Sequence, residues 1–309
     1  MKGRLDGVVP PLVTPLTADR EVDVASLERL IDHLLDGGVS GLFVLGSTGE
    51  ASQLTDAQRQ LVIESVVHYA GGQVPVVAGV IDMSTARVAG HVNEAAKLGA
   101  DAVVATAPFY ASTHPAEIEN HYRALAEVSD LPIYAYDIPS RVSGTRLAAD
   151  SMVRLAADGV LAGVKNSTGD DASIRKLLLA ARDAELADFR VLTGSELTVD
   201  SALAMGVDGV VPGLGNVDPH GYVTLYGLCR AGDTAAARAE QERLFRLFSL
   251  VRPPTATRMG GTSCALGAFK AALKLRGVIA CDATAPPSIP LNDDEIGYIR
   301  QCLETAGLL

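Results

Sequence analysis

Residues 98–109 read LGADAVVATAPF. Gly99 closes the amphipathic pattern of residues 85–98, and within three residues an apolar run, 102–107, has begun. That run lies between Gly99 and Pro108, carries β-branched residues at its centre, and is too short for a helix, so it reads as a buried strand. Glycine directly after the last periodic residue is a common way for a helix to end. The same junction recurs as GVSGLFVLG at 38–46 and as MGVDGVVPG at 205–213, so the reading extends in both directions.

Short apolar runs occupy 8–13, 41–46, 75–80, 102–107, 132–138, 161–165, 190–194 and 209–211. Helical patterns follow at 26–35, 56–69, 85–98, 115–128, 147–156, 172–184, 198–205 and 220–231. Near-continuously apolar strands, each followed by an amphipathic helix, indicate parallel strands covered on the outside. Eight such units close a barrel, and no GxGxxG follows the first run. The expectation is an α/β fold, a (β/α)8 TIM barrel over residues 1–232, preferred to an open doubly wound sheet. Residues 233–309 read as further helices at 234–250, 263–275 and 293–306, punctuated by Pro253-Pro254 and Pro286-Pro287. They form a C-terminal helical extension packed on the barrel.

The chain of 309 residues is 48% hydrophobic and 20% charged, enough for one large core and unlike a disordered protein. A net charge of −11 argues against general affinity for nucleic acid or anionic membrane. The opening residues lack a signal-peptide core, and no apolar run approaches the ~18 residues of a membrane span, so a cytoplasmic location is expected. Cys229, Cys264, Cys281 and Cys302 show no CxxC spacing and read as reduced, buried thiols. The scattered histidines form no HxH or HExxH, and neither GxxxxGK[ST] nor GxSxG occurs. No metal or other cofactor is expected.

In a barrel, function gathers at the C-terminal ends of the strands. Those positions hold Ser47, Thr48, Gly49 and Glu50; Pro108, Phe109 and Tyr110; Tyr136, Asp137 and Arg141; Lys165; and the stretch 212–216. Of the six lysines, Lys2, Lys97, Lys176, Lys270 and Lys274 lie at the N-terminus or in helical patterns, where a solvated role is the default. Lys165 alone ends a strand. Desolvation at a barrel mouth disfavours a lysine's ammonium form, and a neutral amine attacks a carbonyl to form an imine. The alternative is a structural ion pair with a barrel carboxylate. Tyr136 lies one unit earlier, where a phenol could carry protons, and Tyr134 on the same face reads as a core filler. The Gly46–Glu50 turn, GSTGE, offers hydroxyls and successive amides to an anion. A plain loop ahead of a Thr55 helix cap is the competing reading.

GSTGE at 46–50, APFY ending at Tyr110, YDIPSR ending at Arg141 and GVK ending at Lys165 together resemble the family of dihydrodipicolinate synthase and N-acetylneuraminate lyase, the pyruvate-dependent class I aldolases. The resemblance implies that Lys165 is the Schiff-base lysine and Tyr136 the proton-transfer tyrosine, joined by Ser47. It implies that Tyr110 enters a neighbouring subunit's site, that Thr48 with the Gly49 amides holds the pyruvate carboxylate, and that the backbone at Val211 lines the pocket. Arg141 matches the arginine that holds a second carboxylate, which favours condensation of pyruvate with aspartate semialdehyde. Ser47 in place of threonine, and the GVKNSTGD loop, leave 2-keto-3-deoxy sugar acid aldolase or dehydratase and N-acetylneuraminate lyase activity open. The implied partners are pyruvate or another small 2-oxo acid plus an aldehyde, in a homotetramer built as a dimer of dimers. A non-catalytic 2-oxo-acid-binding barrel and a metal-dependent aldolase are the readings from other classes.

Overall fold

The computed structural model describes residues 3–253 and 256–309, so Lys2 and Pro254 lie outside the described residues. The strands are β1 Gly7–Val8, β2 Leu42–Val44, β3 Val76–Gly79, β4 Ala102–Thr106, β5 Ile133–Asp137, β6 Gly163–Asn166, β7 Arg190–Thr193 and β8 Gly209–Val210. Between and after them run α1 Val24–Asp36, α2 Asp56–Ala70, α3 Thr85–Lys97, α4 Pro115–Ala126, α5 Ala149–Ala157, α6 Asp171–Asp183, α7 Val199–Met205 and α8 Pro219–Ala231. All pairings are parallel, in the order β1-β8-β7-β6-β5-β4-β3-β2. The remaining seam is closed by a parallel bridge from Pro11 to Phe43. There Leu12 N donates to Phe43 O at 2.8 Å and Phe43 N to Pro10 O at 3.1 Å. The sheet therefore meets itself, and the fold is the (β/α)8 barrel, not the open sheet.

The first strand is shorter than the sequence run. Regular pairing stops at Val8 instead of continuing to Val13, because Pro10 and Pro11 have no amide hydrogen to give a ladder. The Pro10 carbonyl serves the seam instead. Thr55 does cap α2: its hydroxyl accepts from Gln58 N at 3.3 Å, and the Gln58 side chain accepts from Thr55 N at 3.0 Å.

Alternation along the strands splits the core into two. Ile133 and Ala135 face the helices, whereas Tyr134, Tyr136, Phe43, Val104, Leu192 and Val211 fill the barrel. Tyr134 does fill the core, near the barrel floor. Its hydroxyl donates to Gly3 O at 3.0 Å and accepts from Leu5 N at 2.9 Å, and burial pushes its phenol up to about 12.

The extension comprises α9 Thr234–Leu247, α10 Gly261–Leu275 and α11 Asp293–Thr305. α9 ends three residues before the expected 250, and Phe248–Val251 tightens into a 3-10 turn. Leu244, Ile299 and Leu303 share one apolar cluster with Leu214 and Val217 of the barrel. α10 runs through that interface with every residue from Leu266 to Leu273 buried. This corrects the solvated reading of Lys270, whose side chain is 0% exposed. The cysteines are unpaired; Cys264 is buried, but Cys229, Cys281 and Cys302 are only half-buried. Among the described residues no helix is long and apolar enough to cross a membrane.

Candidate active site

β6 delivers Lys165 to the barrel mouth in register with Tyr136 on β5 and Leu192 on β7. Lys165 is 5% exposed. Its Nζ lies 3.9 Å from the centroid of the Tyr136 ring and 5.0 Å from that of Phe43. Among the described residues Lys165 belongs to no ion pair, so the structural-pair alternative has no partner. Beside it opens a cavity of about 210 Å³ lined by Ser47, Thr48, Tyr136 and Val211. The extension supplies a further part of the wall, including Phe248, Thr262, Leu266 and Phe269.

Burial alone would raise the Tyr136 phenol. The Lys165 charge, with hydrogen bonds to Lys165, Ser47 and Ser167, outweighs it and holds the phenol below its ordinary value. A phenol so placed exchanges a proton more readily than a free tyrosine. Asp137, the next residue, points away, and its Oδ1 accepts from Leu147 N at 3.2 Å.

The GSTGE turn is bracketed by two left-handed residues that are not glycine, Leu45 at φ 57° and Glu50 at φ 58°. Each costs roughly 1–2 kcal/mol, strain of the kind that gathers at functional sites. Within the turn Gly49 N donates to Gly46 O at 3.0 Å and Glu50 N to Ser47 O at 3.3 Å, while the Thr14 hydroxyl donates to Gly49 O at 2.8 Å. A Cβ on Gly49 would stand 3.0 Å from both Leu12 O and Leu45 N, so a side chain there would press on the backbone that closes the turn. The amides of Ser47 and Thr48 have no backbone acceptor among the described residues, and both residues line the cavity. Free successive amides of this kind suit an anion.

Arg141 ends a 3-10 turn after β5, and its Nη1 donates to Thr262 Oγ1 at 2.6 Å. It stands where the Lys165 cavity meets a second hollow of about 410 Å³, whose wall includes Ser52, Thr106, Phe109, Ser263 and Ser288. Val211 is 4% exposed and lines the same cavity as Lys165, its amide donating to Thr193 O at 2.8 Å. Tyr110 is not brought to the site of its own chain; it is 87% exposed on the loop after β4.

Two side chains at the site escaped the sequence reading. Ser167 reaches the Tyr136 phenol from just past Lys165. Glu196 lines the cavity from the loop after β7, with its Oε1 accepting from Leu214 N at 2.5 Å. Burial raises its carboxyl to about 7, against hydrogen bonds from Leu214 and Gly213 and the charge of Lys165. The signal was present: GSE at 194–196 directly follows a strand. A Cβ on Gly194 would fall 2.0 Å from Ser167 Oγ, so glycine lets these two loops meet. Among the described residues no group of three or more His, Cys, Asp or Glu is arranged to hold a metal ion.

A sequence profile of the dihydrodipicolinate synthetase family matches residues 4–306. An uncharacterized DapA-like lyase of Halobacterium salinarum is 36% identical over 306 residues, covering 99% of this chain and 95% of the relative. The 4-hydroxy-tetrahydrodipicolinate synthase of Methanothermobacter thermautotrophicus is 33% identical over 80% of this chain and 87% of its own length. Among solved structures, the prophage protein YagE of E. coli K12, of the dihydrodipicolinic acid synthase family and in complex with pyruvate, superposes with a TM-score of 0.91 at 27% identity, covering 99% of both chains. A monomeric dihydrodipicolinate synthase variant also gives 0.91, at 29% identity over 100% of this chain and 99% of its own.

Proposed function

The chain belongs to the dihydrodipicolinate synthetase family, and on that premise we propose that it condenses pyruvate with an aldehyde through an imine on Lys165. It is a carbon–carbon lyase of the aldolase type. The observation that carries the imine reading is a lysine in a barrel mouth, 5% exposed and in no ion pair among the described residues, beside a cavity large enough for a three-carbon acid.

The Lys165 amine adds to C2 of pyruvate, and the carbinolamine loses water to leave an iminium. Loss of a proton from C3 gives an enamine, whose C3 then attacks the aldehyde carbon and forms the new bond. The aldehyde oxygen takes up a proton, and water releases the product from the lysine. Tyr136, held beside Lys165 with Ser47 and Ser167, carries protons between these steps. The amides and hydroxyls of Ser47 and Thr48, in the turn closed by Gly49, hold the pyruvate carboxylate, and the Val211 backbone lines that end of the pocket. The covalent lysine replaces any cofactor. The exposed Tyr110 suits a hydroxyl that completes a neighbouring subunit's relay, in a homotetramer working in the cytoplasm.

Aspartate semialdehyde is the leading acceptor, because Arg141 stands at the junction of the two hollows as a carboxylate holder. One observation favours a second reading. The outer hollow carries Ser52, Thr106, Ser263 and Ser288, hydroxyls matched to a hydroxylated chain such as a 2-keto-3-deoxy sugar acid. Borohydride with pyruvate is expected to add a stable mass to Lys165, and Lys165→Ala is expected to show none. Pyruvate that raises the melting temperature with no reducible adduct would leave only a binding barrel. Parallel assays with aspartate semialdehyde and with 2-keto-3-deoxygluconate then separate the acceptors.

A further inference from the structure

We propose that Lys270, on the C-terminal extension, is a positioning residue for the reaction: its buried pair with Glu50 holds the GSTGE turn so that Ser47 and Thr48 face the Lys165 cavity. The inference rests on the imine reading above.

Both side chains are fully buried, and Lys270 Nζ contacts Glu50 Oε2 directly. Lys270 Nζ also donates to Ala283 O at 2.8 Å, and Glu50 Oε1 accepts from Ala285 N at 2.7 Å. Three distant segments are joined at this point: the turn after β2, the middle of α10, and residues 283–285. Burying an ion pair costs as much desolvation as its attraction returns, and well-packed apolar side chains stabilise as well or better. What the pair supplies beyond stability is direction. Glu50 occupies the left-handed region at φ 58°, which a residue with a Cβ holds only where its surroundings over-determine it. Its carboxylate is tethered on both oxygens, and its amide donates to Ser47 O at 3.3 Å. Movement of Glu50 therefore passes straight to Ser47. α10 braces the rest of the cavity as well, with Leu266 and Phe269 in its wall and Thr262 bonded to Arg141.

Lys270→Met alone strands a buried carboxylate, so the deciding protein is the uncharged double variant Glu50→Gln with Lys270→Met. Lys274→Met, which removes an exposed pair with Asp282 one turn further along α10, is the control. Two quantities are read on the full chain: hydrogen exchange of amides 46–51, and the pyruvate concentration that half-saturates the borohydride-trapped adduct on Lys165. Both are expected to rise about tenfold in the double variant, with β5 exchange and the maximal adduct unchanged, because a small misplacement of a binding turn weakens its contacts without removing the nucleophile. A folded double variant with wild-type exchange in the turn, or wild-type half-saturation, overturns the proposal. If the double variant does not fold, Lys270→Arg is read by the same two measurements against the same criteria. Wild-type protein that forms no adduct overturns the imine reading instead, and the exchange data then decide the pairing on their own.

Discussion

Lys165 and Lys270 are both closed off from water, at 5% and 0% exposure, and the chain treats them oppositely. Lys270 is engaged: a carboxylate and a carbonyl accept from its ammonium group, and three segments are fastened through it. Lys165 is surrounded by rings, Tyr136 and Phe43, and by open volume. Burial alone therefore does not fix what a lysine does. What differs is whether a carboxylate pairs directly with the ammonium group and whether open volume stands beside it.

The contrast is testable by exchanging the same mutation between the two places. Lys270→Met alone should destabilise the protein by about 3–5 kcal/mol in urea unfolding, because Glu50 is left as a lone buried charge. Lys165→Met should cost less than about 1 kcal/mol or stabilise, as replacing a strained functional group often does. Equal losses would mean that Lys165 is a structural lysine after all.

A sharper probe is the ring beside Lys165. Tyr136→Phe keeps the aromatic wall and removes the phenol proposed to carry protons, so turnover should fall about 10²- to 10³-fold while the adduct at saturating pyruvate still forms, only more slowly. A loss of a few-fold at most would shift proton transfer to Ser47 or Ser167.

The smallest effect expected comes from Glu196, whose carboxyl is raised by burial from an ordinary 4.5 to about 7. Between those values the native protein binds more protons than the unfolded chain. Its contribution to stability is therefore complete below about 4.5 and is lost as pH rises through about 7. The melting temperature of the wild type should fall relative to that of Glu196→Gln between about pH 5 and pH 8. Parallel curves would show that this carboxyl is ordinary, and that the cavity is more polar than its lining suggests.

The two lysines also mark what the sequence discloses. A charged residue at the end of an apolar strand is conspicuous, and Lys165 was legible because GVK breaks the pattern of its own run. The barrel was legible for a related reason, since parallel strands covered on both faces need unbroken apolar runs. Lys270 sits in GAFKAAL, where the default for a helical lysine is solvent. Yet apolar residues surround it on all sides of α10, and a helix apolar all round is a buried one. Glu196 was within reach by the same strand-end rule that found Tyr136, but the loop after β7 went unread. The wall of Phe248, Thr262, Leu266 and Phe269 is different in kind. No local pattern specifies it, because it depends on where the extension docks, and that is settled by packing between segments far apart in sequence.

That wall bears on how the protein comes into being on the ribosome. By the time Val210 has emerged, every strand of the barrel has been made and Lys165 has its neighbours on β5 and β7. The cavity does not yet exist in this form, for part of its lining is supplied by residues translated later, up to Phe269, and the buried partner of Glu50 in the GSTGE turn is Lys270. A nascent chain stalled before α10 would carry all eight strands without that wall, and the enclosed pocket beside Lys165 would form only once Lys270 had been made.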